Sequence, residues 1–280
     1  MTYPFLKGHG TENDFVLLPD HDGSVHGDLD PARVRALCDR RAGIGGDGVL
    51  RVVRDHVVLG EAGTGLWFMD YRNADGSTSE MCGNGIRVFG RHLVDEGLHD
   101  RAEPLPVATR DGVKTLVFAD SGGITVDMGV PRLLGDTAVG ARVGAAEETW
   151  PAVHVDMGNP HAVAFLPEGG PGLDDLGAVL APPSYDEAVY PHGVNVELVV
   201  RRGERHVAMR VHERGSGETR SCGTGACAVA VAAAAADGAP RDVDYRVDLP
   251  GGTLTIRWTA DDRVLMTGPA VVVARGETSL

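Results

Sequence analysis

The sequence contains no glutamine, and only two of its 26 basic residues, Lys7 and Lys114, are lysine. A net charge of −14 works against binding any polyanion, so neither nucleic acid nor a membrane surface is an expected partner. The longest apolar run, Ala226 to Ala236, is too short to span a bilayer. The first residues lack the basic and apolar regions of a secretory leader, and a cytoplasmic location is expected. Four cysteines in a leaderless chain of 280 residues point to reduced thiols rather than a disulfide framework. Zinc is disfavoured, since Cys222 and Cys227 share one helical pattern and no second pair with ligand spacing follows. Gly43-Ile44-Gly45-Gly46-Asp47-Gly48 matches a dinucleotide fingerprint in letters only. That fingerprint needs a strand before it and a helix after it, and here the order is reversed. No motif for a metal, flavin or pyridoxal group is visible, and no cofactor is expected.

What is present is a repeated cysteine loop. Cys82-Gly83-Asn84-Gly85 and Cys222-Gly223-Thr224-Gly225 lie 140 residues apart, half of the 280-residue chain. Each runs into a helical pattern. A thiol at a helix N-terminus feels the positive end of the helix dipole, which lowers its pKa, and the open amides of the first turn bind anions. Two such sites in one chain suggest a pair of acid/base groups around one anionic substrate.

The surrounding pattern divides into two similar halves. Phe5 to Leu18 reads as two strands around a polar turn at residues 9–14. Asp30-Pro31 starts a helix to about Arg41, with an N-cap and proline at the first position. Val49 to Val53 and Leu66 to Arg72 read as strands, and the first cysteine helix runs to about Asp95 with Ile86, Phe89 and Leu93 as its apolar stripe. Short strands follow from Leu105 to Val126, and the Gly-rich stretch 122–131 marks a change of domain. In the second half, strands are expected at Trp150 to Met157, Val194 to Val200, His206 to Glu213 and within Tyr245 to Met266, with a short helix at Leu173 to Leu180. The second cysteine helix, Gly225 to Asp237, is almost all alanine and valine, so it must be buried on every side. Each half is thus an α+β unit, a strand layer around a central helix with a cysteine at its N-terminal end.

The five asparagines, Asn13, Asn73, Asn84, Asn159 and Asn195, all fall in turns or at strand ends. Turn chemistry accounts for Asn73 and for Asn84. It accounts poorly for Asn195, between two valines, where a buried amide needs partners that a ligand could supply. Glu213-Arg214 sits just before the second cysteine loop; Arg can grip a carboxylate with two parallel hydrogen bonds and Glu can accept from an ammonium. Asp47, Asp75 and Glu218 are possible acids in turn-rich surroundings, and His161 has either a structural or a ligand role. If two thiols address one carbon, one removes a proton as thiolate and the other delivers one as thiol to the opposite face, giving inversion with no cofactor.

Lys7-Gly8-His9-Gly10-Thr11-Glu12-Asn13-Asp14-Phe15, Asn73-Ala74-Asp75-Gly76-Ser77, Met81-Cys82-Gly83-Asn84-Gly85, Gly158-Asn159-Pro160-His161, Asn195-Val196, Glu213-Arg214-Gly215 and Cys222-Gly223-Thr224-Gly225 together resemble, in order, the motif series of the diaminopimelate epimerase family. The resemblance implies two pseudo-symmetric domains, each a β-barrel-like sheet around a central helix, with the active site between them. It places the domains at 1–123 with 268–280 and at 124–267, the last strand returning to the first domain. It implies cofactor-independent interconversion of LL- and meso-diaminopimelate for lysine and cell-wall precursor synthesis. Carried over, Cys82 and Cys222 are the acid/base pair. Backbone amides of Gly83, Asn84, Gly223 and Thr224 hold the reacting carboxylate. Asn73, Asn159, Asn195 and Arg214 read the distal centre, and Asn13 and Glu213 meet ammonium groups. The expected partner is the small-molecule substrate, and the expected assembly is a homodimer. Many family members carry glutamine where Gly48 stands and glycine where Glu12 stands. Proline racemase and hydroxyproline epimerase share the two-cysteine logic but usually have histidine after the first Cys-Gly, where this chain has Asn84. A silent binding or redox-sensing module is the alternative from another class.

Overall fold

The computed structural model describes residues 2–178 and 180–280. The chain forms two compact units: one runs to Val126 and takes back Gly268–Leu280, the other is Asp127–Thr267. The first boundary falls at 127 rather than 124 because residues 124–126 continue a strand ladder with Leu116, Val117 and Phe118.

The first unit contains strands β1 (Tyr3–Gly10), β2 (Asn13–Pro19), β3 (Gly48–Arg54), β4 (Trp67–Asn73), β5 (Leu105–Thr109), β6 (Gly112–Phe118) and β7 (Ile124–Asp127). Helix α1 (Pro31–Cys38) joins β2 to β3, the short α2 (Asp55–Leu59) follows β3, and α3 (Gly83–Asp95) joins β4 to β5. The second unit contains β8 (Arg132–Val143), β9 (Ala146–Asp156), β10 (Pro160–Phe165), β11 (Ser184–Tyr185), β12 (Asn195–Gly203), β13 (His206–Glu213), β14 (Gly217–Thr219), β15 (Asp244–Leu249), β16 (Gly252–Trp258) and β17 (Val264–Gly268). Its helix α4 (Gly223–Ala236) precedes β15, and β18 (Val271–Thr278) closes the chain.

Strand pairing shows the two halves to be the same construction. In the first unit neighbouring strands run β18-β1-β2-β3-β4-β5-β6-β7, with β2–β3 and β4–β5 parallel and the other pairings antiparallel. In the second they run β8-β9-β10-β12-β13-β15-β16-β17, with the parallel pairs at the same two places, β10–β12 and β13–β15. A parallel pair requires a crossover, and in both units the second crossover carries the cysteine-capped helix. The fold is therefore α+β, as the sequence pattern implied.

Both central helices are enclosed by their strands. Ile86, Phe89 and Leu93 are fully buried as the stripe required, but burial runs all round α3 from Gly83 to Gly90. Glycines on β1 make the close approach possible: a Cβ at Gly8 would stand 2.7 Å from Val88 Cγ1. Helix α4 is buried at Gly223 and from Gly225 through Ala234, in keeping with its alanine-valine composition.

Local expectations change in several places. Helix α1 stops at Cys38 instead of reaching Arg41, because the Asp39 carboxylate accepts from the amides of Arg41 and Ala42 at 2.7 Å and turns the chain out. The turn between β1 and β2 shrinks to Thr11 and Glu12, both left-handed at φ 50 and 63, a tight hairpin in which Asn13 and Asp14 are strand residues. The long β8–β9 hairpin was legible only at its Trp150 end, since its tip is mostly solvent-exposed and carries no apolar alternation. Of the helix expected at 173–180, a 3-10 turn covers Leu173–Leu176; Val179 lies outside the described residues. Among the described residues no helix is long and apolar enough to cross a membrane.

Candidate active site

In both units the cysteine is the N-cap of its helix. Cys82 Sγ accepts from Gly85 N–H and Cys222 Sγ accepts from Gly225 N–H, each at 3.4 Å. A β-region backbone at each cysteine aims the sulfur back over the first turn of its helix.

Around Cys82 the side chains form a continuous hydrogen-bonded set. Asn13 Oδ1 lies 3.6 Å from Cys82 Sγ and accepts from Asn84 Nδ2 at 3.2 Å. Asn13 Nδ2 donates to Asp47 Oδ2 at 2.7 Å, which fixes the amide with its oxygen toward the thiol. Asp47 is in turn gripped by Arg40 at 2.7 Å. Asn84 Oδ1 accepts from Arg87 at 2.8 Å, and Arg87 also donates to Gly83 O at 3.1 Å. Arg87 is completely buried, and nothing in the apolar stripe of α3 announced it. Asn84 is 1% exposed and bonded at both ends of its side-chain amide. Asn73 donates to Ser77 Oγ at 3.0 Å within its turn, and Asp75 serves the same turn by accepting from Ser77 N–H at 2.8 Å. At Gly48 a Cβ would meet the Tyr71 ring at 2.6 Å and Arg72 O at 2.5 Å, so the ring occupies the space a side chain there would need.

Around Cys222 the thiol lies 3.5 Å from Thr224 Oγ1, and Thr224 Oγ1 accepts from Asn159 Nδ2 at 3.5 Å. Asn159 Oδ1 lies 3.0 Å from His161 Nε2, and His161 Nδ1 lies 2.6 Å from Glu197 Oε1. His161 and Glu197 are both fully buried. Glu197 was missed by sequence reasoning, although a charged residue inside the run Val194 to Val200 was a signal: a carboxyl on a central apolar strand needs a dedicated partner. Asn195 is 4% exposed and donates to Pro160 O and accepts from Arg214 N–H, both at 3.0 Å, so its amide fastens the start of the Arg214 loop. Arg214 itself is exposed, with Nη1 near His192 O at 3.5 Å. Glu213 accepts from Thr219 Oγ1. Glu218 is structural: Arg210 binds it at 2.6 Å and the Leu180 amide at 2.5 Å.

The Cys222 thiol departs from the expected direction. Burial pushes its pKa well above the ordinary value, and the charge of Glu213 pushes the same way. Thr224 and the Gly225 amide oppose this and are outweighed. Desolvation thus works against the lowering expected at a helix N-terminus.

The described arrangement offers two N-capping sulfurs, each accepting from the first turn of its own helix, one beside the Asn13 amide and the other beside the Thr224 hydroxyl. The sequence profile of diaminopimelate epimerase matches residues 5–134 and 153–273. The diaminopimelate epimerase of Streptomyces coelicolor is 57% identical over 98% of this chain and 94% of its own length. That of Corynebacterium glutamicum is 44% identical over 100% of this chain and 99% of its own. In fold, the chain is similar to a PhzF-family phenazine biosynthesis protein of Bacillus anthracis, at TM-score 0.71 and 14% identity over the whole of both chains. It is also similar to a hydroxyproline epimerase of Agrobacterium vitis, at TM-score 0.65 and 14% identity over 100% of this chain and 93% of that one. With paired cysteine N-caps on matched crossovers and near full-length identity of this order, the chain belongs to the diaminopimelate epimerase family.

Proposed function

We propose that this chain is an isomerase (EC 5.1.1.7) that interconverts LL- and meso-2,6-diaminopimelate in the cytoplasm, for lysine and peptidoglycan precursor synthesis. Family membership over nearly the whole chain supports the substrate. The observation that carries the chemistry is the matched pair of N-capping cysteines, each with its sulfur 3.4 Å from an amide of its own helix. Cys82 and Cys222 act on one α-carbon, one taking its proton and the other returning a proton to the opposite face. Whichever thiol is ionised takes the proton, and the other, as thiol, delivers one. After one turnover the roles are exchanged, which lets the reaction run from either isomer. The amides of Gly83, Asn84, Gly223 and Thr224 hold the reacting carboxylate and stabilise the charge that spreads onto it as the proton leaves. Asn13 and Glu213 receive ammonium groups. Asn73, Asn159, Asn195 and Arg214 serve the distal centre, Asn195 by holding the Arg214 backbone.

The test is a single-turnover reaction in D2O. Product should carry deuterium at the inverted carbon while recovered substrate carries little. Cys82→Ala and Cys222→Ala should each abolish epimerisation. Unlabelled product, or a folded Cys→Ala variant with near wild-type turnover, would refute the mechanism.

A further inference from the structure

Glu197 takes no part in the chemistry above, yet it is fully buried and lies two hydrogen bonds from Asn159. We propose that Glu197 and His161 form a positioning device that locks the Asn159 amide with its Nδ2 turned toward Thr224 and the substrate. The proposal rests on the reading that Asn159 contacts diaminopimelate.

An asparagine amide can sit in two orientations that differ only in which end donates. The neighbour that discriminates is His161, whose Nε2 lies 3.0 Å from Asn159 Oδ1. An amide oxygen only accepts, so this orientation requires a proton on Nε2. If Nε2 were bare it would accept from Asn159 Nδ2, and the amide would turn its oxygen to Thr224 instead. The orientation of Asn159 is therefore set by the proton on His161, and that proton is set at the other nitrogen. His161 Nδ1 faces Glu197 Oε1 at 2.6 Å.

Three arrangements of protons are conceivable for the pair. A carboxylate accepting from a neutral imidazole would put the single imidazole proton on Nδ1 and bare Nε2. It would also leave a net negative charge fully buried, which is the costliest choice. The other two carry no net charge: a neutral carboxyl donating to Nδ1, or a carboxylate facing an imidazolium. Both leave Nε2 protonated. Glu197 Oε2 is buried and has no hydrogen-bond partner among the described residues, which favours the neutral carboxyl. Burial also raises the Glu197 pKa against the pull of His161. The strand geometry keeps this pair in place: Glu197 is in register with Val163 and Val211, on a strand central to the sheet. Helix α4 closes over it, and at Gly225 a Cβ would come within 2.7 Å of Glu197 Oε1. No larger residue at 225 leaves room for the carboxyl.

The test compares Glu197→Gln with Glu197→Leu, using LL-diaminopimelate. Gln keeps the shape and donates an N–H to Nδ1, so it should preserve the Nε2 proton and keep KM and kcat within about threefold of wild type. Leu supplies neither donor nor acceptor, so Asn159 loses its lock, and KM should rise about tenfold, as for one lost hydrogen bond, with kcat changed less than threefold. Equal impairment by both variants would mean that Glu197 works as a carboxylate and would overturn the proposal, as would an unchanged KM in Glu197→Leu. Nitrogen-15 spectra of histidine-labelled wild-type protein decide independently of folding or turnover. The His161 signal, assigned by its loss in His161→Phe, should show a protected Nε2–H. A bare Nε2 would overturn the proposal even with every activity as expected. If the wild-type chain does not epimerise diaminopimelate, the proposed function fails while the spectrum still judges the device.

Discussion

At the scale of single residues, the site is built by orienting ambiguous groups with unambiguous ones. Asn13 has its amide direction fixed by Asp47, and Asn84 has its direction fixed by the buried guanidinium of Arg87. Arg87→Met should therefore disturb activity beyond its packing loss. Removing the guanidinium also takes a donor from Asn84 Oδ1, Gly83 O and Pro269 O, a loss of about 1–3 kcal/mol in stability measurable by urea unfolding. Gly48 is a glycine for steric reasons, since the ring of Tyr71 holds its side-chain space. Gly48→Gln, which would restore the residue many relatives carry, should destabilise the first unit by about 1–3 kcal/mol and gain no activity. A stable and more active variant would show that the ring yields. Arg214→Lys keeps the charge and loses the fork, so KM for diaminopimelate should rise by the equivalent of about 1.5–3 kcal/mol. Unchanged steady-state kinetics in that variant would remove Arg214 from the substrate contacts.

At the scale of elements, the turn between β1 and β2 shows how a site sets its own backbone. Two left-handed residues in succession, Thr11 and Glu12, let the hairpin close in two residues and place Asn13 on the strand beside Cys82. A left-handed non-glycine residue costs about 1 kcal/mol. Glu12→Gly should leave stability unchanged or raise it by up to about 1 kcal/mol in chemical denaturation, and should leave turnover intact. A marked loss would mean that the Glu12 side chain has work beyond the turn. The opposite is expected at Gly8, where a Cβ would strike Val88 Cγ1 at 2.7 Å and the Val271 carbonyl at 2.9 Å. Because one of those atoms is backbone, Gly8→Ala should cost about 1–3 kcal/mol.

At the scale of the whole molecule, pH couples to the fold through buried histidines. His26 and His92 are 7% and 2% exposed, and burial lowers both pKa values from 6.5 to about 4. Between those values the unfolded chain takes up protons that the folded chain refuses. Stability from these groups is thus full above pH 6.5 and falls as pH drops toward 4, with a slope of at most about 1.4 kcal/mol per pH unit for each proton. Replacing His92 with leucine should flatten that slope in denaturation midpoints measured across the window. An unchanged slope would leave the sensitivity in this window to His26, because Asp70, whose carboxyl is held low by Arg72 and Arg110 despite its burial, acts below it.

The sequence by itself determined the two cysteine-capped helices, the enclosure of α4 and the α+β repeat. These follow from local chemistry: an N-cap side chain, glycines at a helix start, and a run of alanine and valine that cannot face water. The ordered motifs from Lys7 to Gly225 were likewise enough to indicate the family. Only the tertiary structure decided which charges are inside. Arg87 and Glu197 are buried because acceptors and donors distant in sequence, Pro269 O for one and His161 for the other, come to meet them. The Cys222 thiol is raised rather than lowered for the same reason. A helix dipole belongs to neighbouring residues and can be read from the chain, whereas desolvation is exerted by everything packed around the sulfur and exists only once the unit has folded.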